Sequence, residues 1–300
     1  MSITQDPTRY AERLLGEAGP APQEAWDERT HFRGADDETI AYVITLDAIN
    51  FGSGYFPHLE KRPGHSGYFT IALSLKERFE EKGPLGAREL MTIDRDAAAE
   101  LFGQPPGEPV RDELMGQFAA ALAQLGSFVE RNFSGSFTRL VEVADASAEG
   151  LAAILAGMSF FRDVSHYRGR SVPFLKRAQI TASDLALALD GRPPANFTDL
   201  DRLTIFADNL VPHVLRLDGI LEYAPELVER LERGEPLEAG SEEEVEIRAC
   251  AVHAVEQMVA GLQRSGRQVS ARELDLIIWN RGQASRYRGG SKHRTRTVYY

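Results

Sequence analysis

Residues 242–264 carry a pattern that only a long, one-sided helix satisfies. Val245, Ile247, Ala251, Val252, Ala254, Val255, Met258 and Val259 fall on one broad apolar arc when the segment is wound as an α-helix. Ser241 with Glu244 supplies a capping-box pair at its start. Arg248 lies in the middle of that arc. A guanidinium facing a core is costly unless it meets a carboxylate, a phosphate or a carbonyl fork, so the fold has to bring Arg248 a partner from elsewhere in the chain. A structural ion pair meets that need as well as a ligand would. On the other side of the helix, Glu246, Cys250, His253 and Gln257 form a narrow stripe, either a solvated face or the lining of a cleft. Glu246 and His253 stand two turns apart with no second histidine at i+4, a spacing that does not suit a metal.

The same periodicity dominates the rest of the chain. Helices are predicted at roughly 4–18, 38–49, 67–82, 94–102, 111–131, 147–161, 173–189, 198–217, 221–233 and 271–280. Ser270 with Glu273 is a second capping-box pair, and Thr198 with Asp201 is its shorter-chain counterpart. Gly83-Pro84, Gln104-Pro105-Pro106-Gly107, Gly191-Arg192-Pro193-Pro194 and Gly289-Gly290 mark loops, none long enough for a flexible interdomain linker. The run Thr39 to Thr45 and the segment Thr138 to Val143 are candidate short strands. The expected fold is mainly α with a few short strands, a single domain over 1–300 or two helical lobes flanking a cleft.

The net charge of −11 conceals an asymmetry. Arg281, Arg286, Arg288, Lys292, Arg294 and Arg296 occupy residues 281–300 without any Asp or Glu, which leaves −17 on the first 280 residues. Duplex affinity comes from many phosphate contacts, and so acidic a body disfavours them; a single small phosphate remains compatible. The longest nearly apolar stretch, Leu151 to Phe161, is about half of what a bilayer span needs, and Met1 to Asp6 shows no leader-like pattern. One cysteine, Cys250, forms neither an internal disulfide nor a multi-thiolate zinc site. The chain is read as a cytoplasmic monomer without membrane or nucleic-acid partners.

Three further features draw attention. The loop Asn50-Phe51-Gly52-Ser53-Gly54-Tyr55-Phe56-Pro57 meets neither nucleotide-binding fingerprint, although its aromatic rings offer stacking surfaces. In the helix predicted from Thr198, Leu200, Leu203, Phe206, Ala207 and Leu210 mark the buried face towards which Asp199 projects. Asp199 and Asp201 suit a helix N-terminus, whereas Asp208 falls in the helix body near carbonyls freed by Pro212, where negative charge is unfavourable. Asp208 is thus open to a functional role. Lys176, on the side of Ile180 and Leu187, is either a partly desolvated ammonium seeking a carboxylate or a snorkelling surface lysine.

Five segments in register are more specific than any one of these. They are Thr45-Leu46-Asp47-Ala48-Ile49-Asn50-Phe51, Phe174-Leu175-Lys176-Arg177-Ala178-Gln179, Asp199 through Asp208, Glu246-Ile247-Arg248-Ala249-Cys250 continuing through His253 to Glu256, and His293-Arg294-Thr295-Arg296-Thr297-Val298-Tyr299-Tyr300. Together they resemble the queuosine salvage protein family, the queuosine 5′-phosphate N-glycosylases, over nearly the whole chain.

The resemblance implies a helical fold similar to DNA glycosylases, with no metal or organic cofactor. It also implies hydrolysis of the N-glycosidic bond of queuosine 5′-monophosphate, which releases queuine for reuse in transfer RNA modification. Carried over by motif, Asp208 is the carboxylate that stabilises an oxocarbenium-like state, with Lys176 and Asp199 as further catalytic candidates. Asn50, Phe51 and Phe174 are expected to wall and hydrogen-bond the base, and Asp47, Asp199 and Glu246 to meet its donors. His213, after Pro212, is a further substrate contact. His293, Arg294 and Arg296 are expected to bind the 5′-phosphate, while Arg248 either binds substrate or buttresses a carboxylate. The competing readings are a base-excision-type glycosylase, which needs a basic groove, and a non-catalytic queuine-binding protein.

Overall fold

The computed structural model describes residues 1–18 and 26–300. Its helices are α1 (Pro7–Ala18), α2 (Asp36–Ala48), α3 (Gly67–Lys82), α4 (Ala87–Leu90), α5 (Arg95–Leu101), α6 (Pro109–Phe133), α7 (Phe137–Glu142), α8 (Ala148–Leu155), α9 (Lys176–Ala188), α10 (Leu210–Leu217), α11 (Pro225–Glu232), α12 (Glu242–Arg264), α13 (Ala271–Arg281) and α14 (Ser285–Arg288). Short strands β1 (Ser2–Ile3) and β4 (Leu221–Glu222) pair antiparallel, as do β2 (Val164–Tyr167) and β3 (Arg170–Pro173). The fold is mainly α with a few short strands. Among the described residues no helix is long and apolar enough to cross a membrane.

The chain packs as two units. Of the described residues, one takes 1–18, 164–176 and 199–296; the other takes 26–163, 177–198 and 297–300. In the first unit, Tyr10 and Leu14 of α1 pack with Val255, Met258 and Leu262 of α12, and the same core continues through Leu274 and Ile278 of α13 to Val211 and Leu215 of α10. The approach of α1 to α12 requires a glycine: a Cβ at Gly261 would overlap Thr8. Ser270 and Glu273 form the expected reciprocal capping box at the start of α13.

In the second unit, α6 packs against α4, α5 and α7. Residues Thr39 to Ala48 of α2 are all buried. Burial on every side explains why the β-branched run at 39–45 misleads: without a polar face it lacks helical patterning, yet it is helical, with Asp36, Asp37 and Glu38 favouring the N-terminus. Thr138 to Val143, the other candidate strand, is α7 followed by its cap, and Ser136 accepts the Arg139 N–H to start it.

The predicted helices 147–161 and 221–233 are shorter, at Ala148–Leu155 and Pro225–Glu232, and two further boundaries differ nearer the expected site residues. The predicted helix 173–189 begins only at Lys176, because the chain before it is β3, joined to β2 by a two-residue turn at Arg168 (φ 47°) and Gly169 (φ 78°), the geometry that suits a twisted hairpin. The predicted helix 198–217 is a 3-10 turn at Leu200–Arg202, a non-helical stretch, and then α10. Thr198 caps neither; its hydroxyl reaches the carbonyl of Ala146. Pro212 has no N–H to give a helix running back through Asp208, but within the first turn of α10 that donor is not needed.

Candidate active site

The stretch between the 3-10 turn and α10 is held by side chains from two helices of the first unit. Phe206 donates its backbone N–H to Oδ1 of Asp275 in α13 at 2.9 Å, and Ala207 accepts Nε of Arg248 in α12 at 2.9 Å. Asp208 follows directly. Its Oδ1 accepts the N–H groups of Leu210 (2.7 Å) and Val211 (3.2 Å), the exposed donors at the start of α10. Asp208 therefore sits ahead of a helix, with the macrodipole favouring its charge, and not in a helix body as the sequence suggested. Among the described residues no side chain or backbone donor reaches Oδ2, and the residue is half-buried.

Arg248 is 1% exposed, as its place in the apolar arc requires. Besides the Ala207 carbonyl it meets Glu244 one turn back at 3.4 Å, and its guanidinium lies 3.9 Å from the centre of the Phe174 ring. It thus fixes both the loop carrying Asp208 and the segment carrying Phe174. Leu175 follows Phe174 in the left-handed region, at φ 48°, which a branched side chain occupies only when its surroundings over-determine it. That turn leads into Lys176, which is buried at the first position of α9.

Asp275 was not among the expected site residues. It is buried, and its carboxyl is pushed up to about 7, first by desolvation and then by the negative charge of Asp208; the Phe206 N–H and Lys176 oppose the shift. Asp208, Asp275 and Lys176 thus form one electrostatic group. The clue was available: with Ala271, Leu274 and Ile278 all on the buried face of α13, position 275 shares that face.

The other expected residues separate by unit. In the first unit, Asp199 is half-buried immediately before the 3-10 turn. Glu246 accepts a hydrogen bond from the Tyr167 hydroxyl of β2. His213 is buried in α10, its Nε2 donating to the Tyr287 carbonyl at 2.9 Å, while Nδ1 has no partner among the described residues. Along the C-terminal stretch, side chains alternate: His293 and Thr295 are buried, whereas Lys292, Arg294 and Arg296 are not. Burial, Arg248, Lys292 and His213 hold His293 down to about 3, so it is neutral at physiological pH and presents an N–H, not a fixed positive charge.

Much of the basic terminus is already neutralised. Asp218 accepts Tyr10, Arg281, Arg286 and Tyr287 at once, and these hydrogen bonds outweigh burial to hold its carboxyl below the usual range. Arg281 also meets Glu17. Lys292 and Arg294 border a cavity of about 480 Å³ in the first unit, together with Leu210, Gln283, Tyr287 and Glu232. Leu210 is the first residue of the helix that Asp208 caps.

In the second unit, Asp47 is fully buried and its Oδ1 accepts the Asn50 side-chain amide at 3.2 Å. Phe51 is buried against Phe118 and Phe160, with the Arg177 guanidinium 4.8 Å from its ring centre. It is packed as a ring in the core of this unit. Arg177, not among the expected site residues, donates to the carbonyls of Asp47 (3.0 Å), Ala48, Phe160 and Val298 (2.7 Å). Burial draws its proton affinity down to about 9 against the pull of Asp163 and Asp47, so it keeps its charge at neutral pH. The Gly52 N–H meets the Tyr300 carbonyl at 3.0 Å, so residues 297–300 belong to the structure of this unit. Among the described residues no cluster of three or more His, Cys, Asp or Glu could hold a metal ion.

A family model described as "Queuosine salvage protein" matches residues 30–300. Curated proteins named queuosine 5′-phosphate N-glycosylase/hydrolase align along nearly the full chain. The one from Sphaerobacter thermophilus is 39% identical, covering 92% of this chain and 85% of its own length. Those from Bos taurus and Mus musculus are 30% and 28% identical, each covering 97% of this chain and 92% and 91% of their own lengths.

Proposed function

The chain belongs to the queuosine salvage protein family, and from that premise we propose that it hydrolyses the N-glycosidic bond of queuosine 5′-monophosphate to release queuine. The observation that carries the reading is Asp208: one carboxylate oxygen fixed by the N-terminus of α10, the other without a donor among the described residues. A glycosidic bond breaks through a ribosyl cation, and a carboxylate already oriented stabilises it without reorganising as charge develops. One such interaction is worth on the order of 3 kcal/mol, or roughly a hundredfold in rate.

The leaving group raises that demand. Queuine is a 7-deazapurine, with carbon where a purine has N7, so protonation there cannot assist departure. The ribosyl side of the transition state has to be stabilised more strongly, and that demand falls on the Asp208 carboxylate, which shares one electrostatic group with Asp275 and Lys176. Arg248 serves this arrangement indirectly, by fixing the Ala207 carbonyl and the Phe174 ring.

The phosphate is assigned to the cavity that Lys292 and Arg294 border. Both are outward-facing cations there, and Arg294 offers a planar fork suited to phosphate oxygens. Incubating the protein with queuosine 5′-monophosphate and with unphosphorylated queuosine, and following free queuine by chromatography, tests reaction and phosphate recognition together. Queuine from the monophosphate, formed faster than from the nucleoside, is expected; none from either substrate contradicts the proposal.

A further inference from the structure

Helix α10 carries more than the N–H groups that Asp208 accepts. Two of its side chains, one turn apart, reach the same neighbouring segment: His213 donates through Nε2 to the Tyr287 carbonyl at 2.9 Å, and Arg216 donates to the Ser291 carbonyl at 2.8 Å. Asp218, the residue that ends the helix, accepts the Tyr287 hydroxyl at 2.8 Å. Tyr287 is thus held at its main chain and at its side chain by one element. The packing is close as well as hydrogen-bonded: a Cβ at Gly290 would come within 2.9 Å of the His213 ring, and one at Gly282 within 2.9 Å of Leu210. Leu210, Gly282, Tyr287, Gly290 and Ser291 all line the cavity that Lys292 and Arg294 border. Arg294 is itself tied through its carbonyl, which accepts the Leu237 N–H at 2.8 Å.

Resting on the function and the phosphate site proposed above, we infer that His213, Arg216 and Asp218 are positioning residues that build the phosphate-selecting wall, so that the helix capped by Asp208 also sets where the phosphate is held. None of the three borders the cavity, and each acts through the segment it holds. A carbonyl oxygen beside an anion repels it. With the Tyr287 and Ser291 oxygens engaged by donors of α10, that repulsion is reduced, and Lys292, next after Ser291, meets the phosphate from a fixed backbone. Ordering the wall before substrate arrives removes a cost that binding would otherwise bear. His213, expected from sequence to touch the substrate, acts on it through Tyr287 instead. Among the described residues its ring makes one hydrogen bond, the one to Tyr287, so a substitution there breaks that bond and no other.

The test reads one ratio, kcat/KM for queuosine 5′-monophosphate over kcat/KM for unphosphorylated queuosine. His213→Leu removes the donated N–H and keeps the space filled; it is expected to lower the ratio about fivefold, the worth of one neutral hydrogen bond. His213→Gln, whose side-chain amide can place an N–H where Nε2 has one, is expected to recover most of that loss. A merely structural role would lower both kcat/KM values together and leave the ratio at the wild-type value, and that result overturns the inference, as does a glutamine variant no better than the leucine one. Should His213→Leu not fold, Tyr287→Phe decides, since it removes only the hydroxyl that reaches Asp218: a lower ratio supports the inference and an unchanged one overturns it. Arg294→Gln separates the inference from the reading beneath it. If that variant lowers the ratio and His213→Leu does not, only the role of α10 falls; if Arg294→Gln leaves the ratio unchanged, the phosphate lies elsewhere and the inference falls with its site. A wild-type protein that releases no queuine from either substrate refutes the proposed function itself. Calorimetry with ribose 5-phosphate, and with ribose as control, then decides the role of α10: weaker binding of ribose 5-phosphate to His213→Leu than to the wild type supports it, and equal binding overturns it.

Discussion

Arg248 donates to the carbonyl of Ala207, the residue immediately before Asp208, across a 2.9 Å hydrogen bond. A core arginine and an isolated aspartate, 40 residues apart in sequence and each unusual in its own helix pattern, are thus two parts of one arrangement.

Removing the arginine strips a buried cation from Glu244 and takes away its contacts to the Phe174 ring and the Ala207 carbonyl. Arg248→Ala is expected to destabilise the fold by about 3–5 kcal/mol, the usual cost of stripping one partner from a buried ion pair. Arg248→Lys keeps the charge but loses the fork and the flat face over Phe174, and should recover only part of that loss. Thermal unfolding of both variants measures the difference; wild-type stability in Arg248→Ala would mean the guanidinium holds nothing.

Arg294→Gln removes one outward-facing cation at the cavity without touching a core residue. The expected result is an increase in KM for the monophosphate of about tenfold, the worth of one charge-assisted contact, with KM for unphosphorylated queuosine nearly unchanged. Equal effects on both substrates would move the phosphate elsewhere. Deleting residues 293–300 is a poorer experiment, because Val298 and Tyr300 supply carbonyls to Arg177 and Gly52.

Acid should expose the burial of His293. Its folded value of about 3 lies below the unfolded value near 6.5, so the unfolded chain binds the proton first and stability is lost as pH falls from about 6.5 towards 3. Between pH 6.5 and 4 the ceiling on this contribution is about 3 kcal/mol. In His293→Gln, urea unfolding midpoints should fall less steeply over that range than in the wild type.

Asp275 works in the opposite sense. Its folded value, about 7, lies above the unfolded value near 3.9, so stability attributable to it is full below about 4 and is lost as pH rises through 7. Asp275→Asn, which has no charge to bury, should gain stability relative to the wild type between pH 4 and pH 8, by at most about 4 kcal/mol. A constant difference across that range would show that the carboxyl does not titrate between the folded and unfolded states.

How much of this can be read from sequence depends on where the signal resides. Arg248 is legible because a 23-residue helix gives its periodicity room to show. Asp208 stands out as well, but for a reason the structure reverses: the helix that seemed to run through it stops short, since Asp275 and Arg248 tie down Phe206 and Ala207 in a non-helical stretch. Those ties are tertiary, and local propensity carries no trace of them. The same limit explains α2, where complete burial erases the alternation that separates helix from strand. Arg177 is the extreme case, because its four carbonyl partners come from three separate parts of the chain.

The central claim is that Asp208 performs the chemistry and not merely the capping of α10. Asp208→Asn preserves an oxygen for the Leu210 and Val211 N–H groups and removes the charge, so helix and binding should survive. Measured as queuine released from queuosine 5′-monophosphate in single-turnover assays, with substrate affinity determined by calorimetry, the account predicts affinity within about threefold of the wild type and a rate lower by about a hundredfold or more. A folded Asp208→Asn protein that releases queuine at the wild-type rate would contradict it.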